Sequence, residues 1–261
     1  MNHKKVPLIA GNWKMNKTPQ EARELALALK EKFKKINSVK IVICPPFISL
    51  SAVQTTLNGG NIALGAQNVH WENEGAFTGE ISPKMLLTSG CQYVIIGHSE
   101  RRTFFQETDD MVNLKLKESL KEGLIPIVCI GETWQERETG KTEETIERQL
   151  KGALKGVSAE DVEKVVIAYE PVWAIGTGKN ATPKQANEIH NFIREKLTAS
   201  YNKDVAQKMY IIYGGSVTPE NANDLIEMPE INGFLVGGAS LDPDSFEKIV
   251  KLSIMQKSAV K

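Results

Sequence analysis

Short apolar runs rich in Val, Ile and Ala alternate along the chain with longer segments whose apolar residues recur every three or four positions. The runs lie near 6–11, 39–44, 61–66, 92–97, 124–130, 163–169, 208–213 and 231–237. They are continuous rather than alternating, which marks strands covered on both faces, as in parallel sheets. The segments between them carry helix start signals. Thr18-Pro19 opens one, with Glu21 placed for a capping box and an apolar stripe of Ala22, Leu25, Leu29, Phe33 and Ile36 behind it. Thr182-Pro183 repeats the device with Gln185, and Ser82-Pro83, Thr218-Pro219 and Asp242-Pro243 repeat the cap and proline. Gly123 fits the stop of a helix over 108–122. Eight strands, each followed by a helix, in roughly 250 residues predict an α/β chain folded as a (β/α)8 barrel. The reading takes 1–261 as a single domain, with a doubly wound open sheet as the second choice.

One connection breaks the rhythm. From Gln67 to Ser82 the chain is polar, glycine-bearing and aperiodic. Loops of this length inside compact domains are usually functional or mobile, and Trp71 and Phe77 argue that this one packs against something.

Composition narrows the function classes. Lys+Arg and Asp+Glu both number 32, so the formal net charge is zero and neither a nucleic acid nor an anionic membrane is the expected partner. Cys44, Cys91 and Cys129 are far apart and form no C-x-x-C, so they read as reduced thiols packed in strands. The apolar stretch from Val6 to Ala10 is too short for a signal sequence, and no run reaches the length of a membrane span. The expected location is the cytoplasm. Two glycosylation sequons, Asn16-Lys17-Thr18 and Asn180-Ala181-Thr182, then read as chance matches.

In a barrel, chemistry sits at the C-terminal ends of the strands. Glu170 ends the sixth run, and Pro171 holds it extended. The apolar segment Val172 to Ile175 follows and runs into Gly176-Thr177-Gly178-Lys179. A carboxylate under such a segment reads either as a base beneath a lid or as a strand-end turn residue. Water exclusion by a lid would raise its pKa. Strand one ends in Gly11-Asn12-Trp13-Lys14, where Asn12 and Lys14 share a face with Leu8 and Ala10. Lys14 is then either fixed positive charge for an anionic substrate or a solvated lysine. His98 follows strand four, sharing parity with Val94 and Ile96. If Ser99 begins a helical turn, the positive helix end favours the neutral ring, which can donate to a carbonyl oxygen; the alternative is a structural histidine. Arg102 is placed to tie this turn down, with Glu107 as a partner. Gly214-Gly215-Ser216 and Gly237-Gly238 after strands seven and eight place backbone N–H groups for a phosphate.

Other motifs fail. Gly176 to Ala181 fits G-x-G-x-x-G/A but lies too far from its strand for a dinucleotide site. Trp173 stands where a P-loop needs its first glycine. His98-Ser99-Glu100 lacks the P-C-x-x-C of a zinc deaminase, and no G-x-S-x-G occurs. His3, His70, His98 and His190 have no ligand spacing, so no metal is expected.

These residues carry a resemblance that spans nearly the whole chain. AGNWKMN (10–16), GAQNVHW and GAFTGEIS (65–82), IIGHSERR (95–102), VCIGE (128–132), AYEPVWAIGTGK (168–179), YGGSV (213–217) and LVGGASL (235–241) resemble, in order, the motifs of the triosephosphate isomerase family. A glutamate base facing a neutral histidine beneath a closing loop is that family's established pattern, not a deduction from these residues. The resemblance implies a TIM barrel that interconverts dihydroxyacetone phosphate and D-glyceraldehyde 3-phosphate, in glycolysis and gluconeogenesis, without a cofactor. It assigns Glu170 as base, His98 as electrophile, Lys14 and Asn12 as catalytic partners, and Glu100 as a support that pairs with Lys14 or with the nearby backbone. Gly176, Ser216, Gly237 and Gly238 would hold the phosphate under a lid of Ala174, Ile175, Gly176, Thr177, Gly178 and Lys179. It also implies a homodimer in which the 67–82 loop, with Thr78 at its tip, packs near the partner's Asn12 and Lys14. Two alternatives are a lyase or epimerase on a phosphate-binding barrel, and a non-catalytic sensor of a phosphorylated metabolite. The paired glycines suit both, but neither needs Lys14, His98 and Glu170 together.

Overall fold

The computed structural model describes residues 5–174 and 181–255. Eight parallel strands close into one barrel in sequence order: β1 (Leu8–Asn12), β2 (Lys40–Cys44), β3 (Ile62–Ala66), β4 (Cys91–Ile96), β5 (Ile125–Ile130), β6 (Val166–Tyr169), β7 (Tyr210–Tyr213) and β8 (Gly233–Val236). Closure runs through β1 and β8, with Leu8 opposite Gly233 and Gly11 opposite Val236. All eight expected runs are strands, and the open-sheet alternative falls with the closure.

Alternation along each strand splits the core in two. Leu8, Ala10, Val42, Ile95, Ala168 and Leu235 fill the barrel. Ile9, Ile43, Val94, Ile96, Ile167 and Val236 face the helices and join a larger outer layer with Leu25, Leu29 and Phe33. Strands buried on both faces need apolar residues at every position, which is why the runs are continuous.

The helix starts follow the sequence with two differences. Thr18, Ser82 and Thr182 cap the helices Pro19–Phe33, Pro83–Thr88 and Pro183–Ser200, and Asp242 Oδ1 accepts from Ser245 N at the start of Pro243–Met255. The first helix ends at Phe33, so Ile36 packs from the following turn rather than from the stripe. Thr218-Pro219 does not open a helix. Asn221 folds its side chain back onto Thr218 N and Ser216 O, and the helix starts only at Ala222. Gly123 ends Asp109–Glu122 at φ +98°, a left-handed cap that suits glycine.

The 67–82 segment has no regular element. Its base is buried at Asn68 and His70, while residues 74–80 are exposed. Trp71 and Phe77 stack on His70 within the loop. Below it lies a buried charge cluster. Glu107 accepts from Gly97 N, Arg101 Nε and Lys115 Nζ, and Lys115 also donates to Asn68 Oδ1. Buried ions cost several kcal/mol each unless their lone pairs and protons are satisfied, and here they are. Burial alone would raise the Glu107 pKa, but Lys115 and Arg101 hold it below the usual carboxylate range. Arg102 does tie the strand-four turn, through Nε to Gly97 O, but its carboxylate partner is Asp109 rather than Glu107. The lysine and Arg101 already occupy Glu107.

Candidate active site

A cavity of about 400 Å³ opens at the C-terminal mouth of the barrel, lined by Asn12, Lys14, His98, Glu100, Glu170 and the loops after β7 and β8. Glu170 is 1% exposed. It follows β6 in the inward register of Val166 and Ala168. Its backbone is wedged: Glu170 N donates to Ile130 O, Gly214 N donates to Tyr169 O, and a Cβ on Gly214 would lie 2.9 Å from Glu170 Cγ.

His98 reaches the same cavity by a different route. Val94 and Ile96 face the helices, so shared parity would have turned His98 outward. Gly97 breaks the alternation at φ +70°, where a Cβ would also strike Val112 Cγ2 at 2.9 Å. The glycine turns His98 into the mouth. His98 caps the helical turn Ser99–Phe104, and Glu100 N donates to His98 Nδ1 at 3.2 Å. With Nδ1 accepting, the neutral ring carries its proton on Nε2. Nε2 lies 3.0 Å from Glu170 Oε1, off the hydrogen-bonding direction, so Oε1 has no hydrogen-bond partner among the described residues. The other carboxylate oxygen accepts from Ser99 N at 2.9 Å.

This pairing sets both titrations. Burial lowers the His98 pKa, but the Glu170 carboxylate outweighs it and the net shift is upward. Burial raises the Glu170 pKa, but His98 and the Ser99 N–H reverse it and the net shift is downward. Both directions differ from the sequence expectation of a neutral imidazole and a raised carboxylate. The reason is contact: Nε2 of His98 and Oε1 of Glu170 lie 3.0 Å apart, and each group favours the charged form of the other.

Lys14 has a left-handed backbone, φ +52°, unusual for a side-chain-bearing residue. Three contacts hold it there. Lys14 N donates to Asn12 Oδ1, Gln67 Nε2 donates to Lys14 O, and Trp13 N donates to Cys44 O. The turn sends the ammonium across the mouth, where it donates to Glu100 Oε1 at 2.5 Å. A Cβ on Gly237 would lie 3.5 Å from Lys14 Cε, so the side chain also spans toward the β8 loop. Because Asn12 Oδ1 is taken by Lys14 N, its NH2 is the end able to donate into the cavity.

Ser216, Gly237 and Gly238 line the same cavity from the β7 and β8 side. Gly238 begins a short helical turn, Gly238–Leu241, and the first N–H groups of such a turn have no partner within it. Ala174 is buried at the end of the turn Val172–Ala174, with Trp173 Nε1 donating to Glu132 Oε1. Ile175, Gly176, Thr177, Gly178 and Lys179 lie outside the described residues. Thr78 is on the exposed tip of its loop, away from the cavity lining. Sequence reading missed Val217, Thr218, Leu235 and Ala239 in the lining, and Ser99 N and Gln67 as supports. Leu235 alone carried a signal, the inward register of β8. Among the described residues no group of His, Cys, Asp or Glu could hold a metal, and the three cysteines are free and buried.

Ring 15N spectra of the unliganded protein should report His98 protonated on Nε2, with a midpoint above the ordinary histidine value. In Glu170→Gln the main opposing charge is gone, burial is opposed only by the weaker influence of Glu100, and the midpoint should fall. An unchanged midpoint would contradict the pairing.

Residues 7–253 match the family model described as triosephosphate isomerase. A protein of that name from Carboxydothermus hydrogenoformans is 55% identical over 248 residues, which is 95% of this chain and 99% of the relative. Namesakes from Dictyoglomus turgidum and Caldanaerobacter subterraneus subsp. tengcongensis are each 54% identical over 244 residues, 94% of this chain and 98% of theirs. With the barrel and its mouth in place, a match of this length and identity means that the chain belongs to the triosephosphate isomerase family.

Proposed function

We propose that Glu170 and His98 perform the reaction of this family here, the interconversion of dihydroxyacetone phosphate and D-glyceraldehyde 3-phosphate. The observation that carries the assignment is the convergence of Glu170, His98, Lys14 and the β7 and β8 loops on one cavity. A hydrogen on the carbon beside a carbonyl leaves as a proton when a base waits on one side and donors wait at the oxygen. The Glu170 carboxylate takes that proton, and the electron pair moves onto the carbonyl oxygen to give an enediolate. His98 Nε2–H, the Lys14 ammonium and the Asn12 NH2 stabilise the oxygen. The imidazole shuttles a proton between the two adjacent oxygens, and Glu170 returns its proton to the neighbouring carbon. No atom is gained or lost.

Substrate binding reverses both pKa directions. Moving to the substrate carbon takes the Glu170 carboxylate away from His98 and Ser99 N–H. Burial then raises its basicity. The imidazole loses the charge that raised its pKa, and burial with the Glu100 N–H favours its neutral form. Glu100 holds Lys14 in place. The phosphate rests on the N–H groups of Ser216, Gly237 and Gly238. The alternatives, a lyase or epimerase and a passive sensor, use the same loops but have no need of a carboxylate facing an imidazole.

The surface beside this mouth supports a homodimer. Met15 is 96% exposed and Phe105 64% exposed, both on the rim of a second cavity of about 270 Å³ that reaches Asn12, Lys14 and Gln67. The exposed 74–80 tip, with Thr78, is suited to fill that cavity on a partner and so buttress its Lys14. We place the enzyme in the cytoplasm on its unpaired buried cysteines, which cell fractionation tests. No helix among the described residues is long and apolar enough to cross a membrane.

Dihydroxyacetone phosphate supplied to the folded protein, with product coupled to a glyceraldehyde 3-phosphate dehydrogenase, should give NADH. Glu170→Gln should cut this by about a thousandfold while melting as the parent does. Absence of turnover in the parent would end the proposal. In sedimentation the active species should be a dimer, and removing residues 74–80 should give a poorly active monomer. A monomeric parent with full turnover would contradict the interface.

A further inference from the structure

Gln149 lies on the helix Thr142–Leu154, buried and outside the substrate cavity. Its side-chain amide makes two hydrogen bonds to one peptide unit pair. Oε1 accepts from Gly131 N at 2.7 Å, and Nε2 donates to Gly131 O at 3.0 Å. Gly131 is the first residue after β5. The strand ladder cannot supply these bonds, because the β4 register ends with Ile96 opposite Val128. The glutamine amide stands where a strand partner would have been.

Gly131 in turn abuts the backbone of Glu170. A Cβ on Gly131 would lie 1.7 Å from Glu170 O, so the two main chains touch with no room for a side chain. The residues either side of Gly131 hold the same strand end: Ile130 O accepts from Glu170 N at 2.8 Å and Glu132 O accepts from Val172 N at 3.1 Å. A void of about 120 Å³ lies between Gln149, Gly131, Ser99 and Glu170. Packing therefore does not fix Gly131 on that side. Hydrogen bonds must do so, and only an uncharged group with both a donor and an acceptor can serve both ends of the residue.

We propose that Gln149 is a positioning residue for Glu170: by clamping Gly131 it sets the strand end from which the carboxylate reaches the substrate carbon. The inference rests on Glu170 being the base. Without the clamp Gly131 can relax into the void and the carboxylate shifts with it. The phosphate contacts after β7 and β8 are untouched, so the effect falls on turnover rather than on binding.

The test compares Gln149→Leu and Gln149→Glu with the parent. Gln149→Leu has neither donor nor acceptor and should lower kcat about tenfold or more, with KM and inhibition by inorganic phosphate within about twofold. A protonated glutamic acid keeps one donor and one acceptor, and an ionised one loses the donor. Gln149→Glu should therefore work near the parent rate at low pH and fall toward the leucine variant as it ionises, a limb the parent lacks. Parent-like kcat and pH profile in both variants, with only a lowered melting temperature, would make Gln149 merely structural and overturn the inference. If Gln149→Leu fails to fold, a Gln149→Glu profile that merely parallels the parent overturns it equally. A parent without turnover would instead remove the isomerase reading, which separates the two failures.

Discussion

A carboxylate with almost no exposed surface stays ionised only when other groups replace the water it has lost. Glu170 meets that condition with one backbone N–H from Ser99 and the nearby imidazole of His98. Much of the mouth exists to bring those groups to it. Gly97 turns His98 inward, the helical turn at Ser99 presents its first N–H groups, and Glu107 and Arg102 pin the two sides of Gly97. The partners are strong enough to hold the charge and can be exchanged for a substrate. The proposed role of Glu170 as base requires both: a charge held by these partners and free to leave them for a substrate.

The barrel supplies the rest by geometry. Parallel closure sends the ends of β1, β4, β6, β7 and β8 to one face, so residues far apart in sequence share one cavity. β1 contributes positive charge through Lys14, whose left-handed backbone is fixed by Asn12 and Gln67. β4 and β6 contribute His98 and Glu170. β7 and β8 contribute backbone N–H groups that only glycine and serine turns bring so close. Each strand end does one thing, and the outer layer of helices fixes the angles at which they meet.

The strands were legible because burial on both faces leaves no room for polar residues inside the runs. The face that Asn12 shares with Leu8 and Ala10 was legible from the two-residue period of a strand, whereas for Glu170 only its place at a strand end was. His98 lines the mouth although its parity with Val94 and Ile96 pointed outward: a single positive φ at Gly97 reverses it. A proline after a threonine, serine or aspartate signalled four helices well, but at Thr218 the side chain of Asn221 claimed the turn first. The partners of Arg102 and Glu107 were not legible, because exchange among neighbouring charges depends on three-dimensional distances of a few ångströms. Gln149 left no trace in the sequence. An isolated glutamine on an amphipathic helix looks like any other polar position until the ladder beside it is seen to end.

The most direct test of proton abstraction runs the isomerisation in D2O and reads deuterium on the carbons beside the oxygens. A carboxylate base holds the abstracted proton on an exchangeable oxygen, so product should carry solvent deuterium at the carbon that receives the proton. Glu170→Gln should slow this incorporation by about the same thousandfold as turnover. Product that keeps the substrate's own hydrogen completely over many turnovers would mean direct transfer between carbons, and would contradict Glu170 as the base.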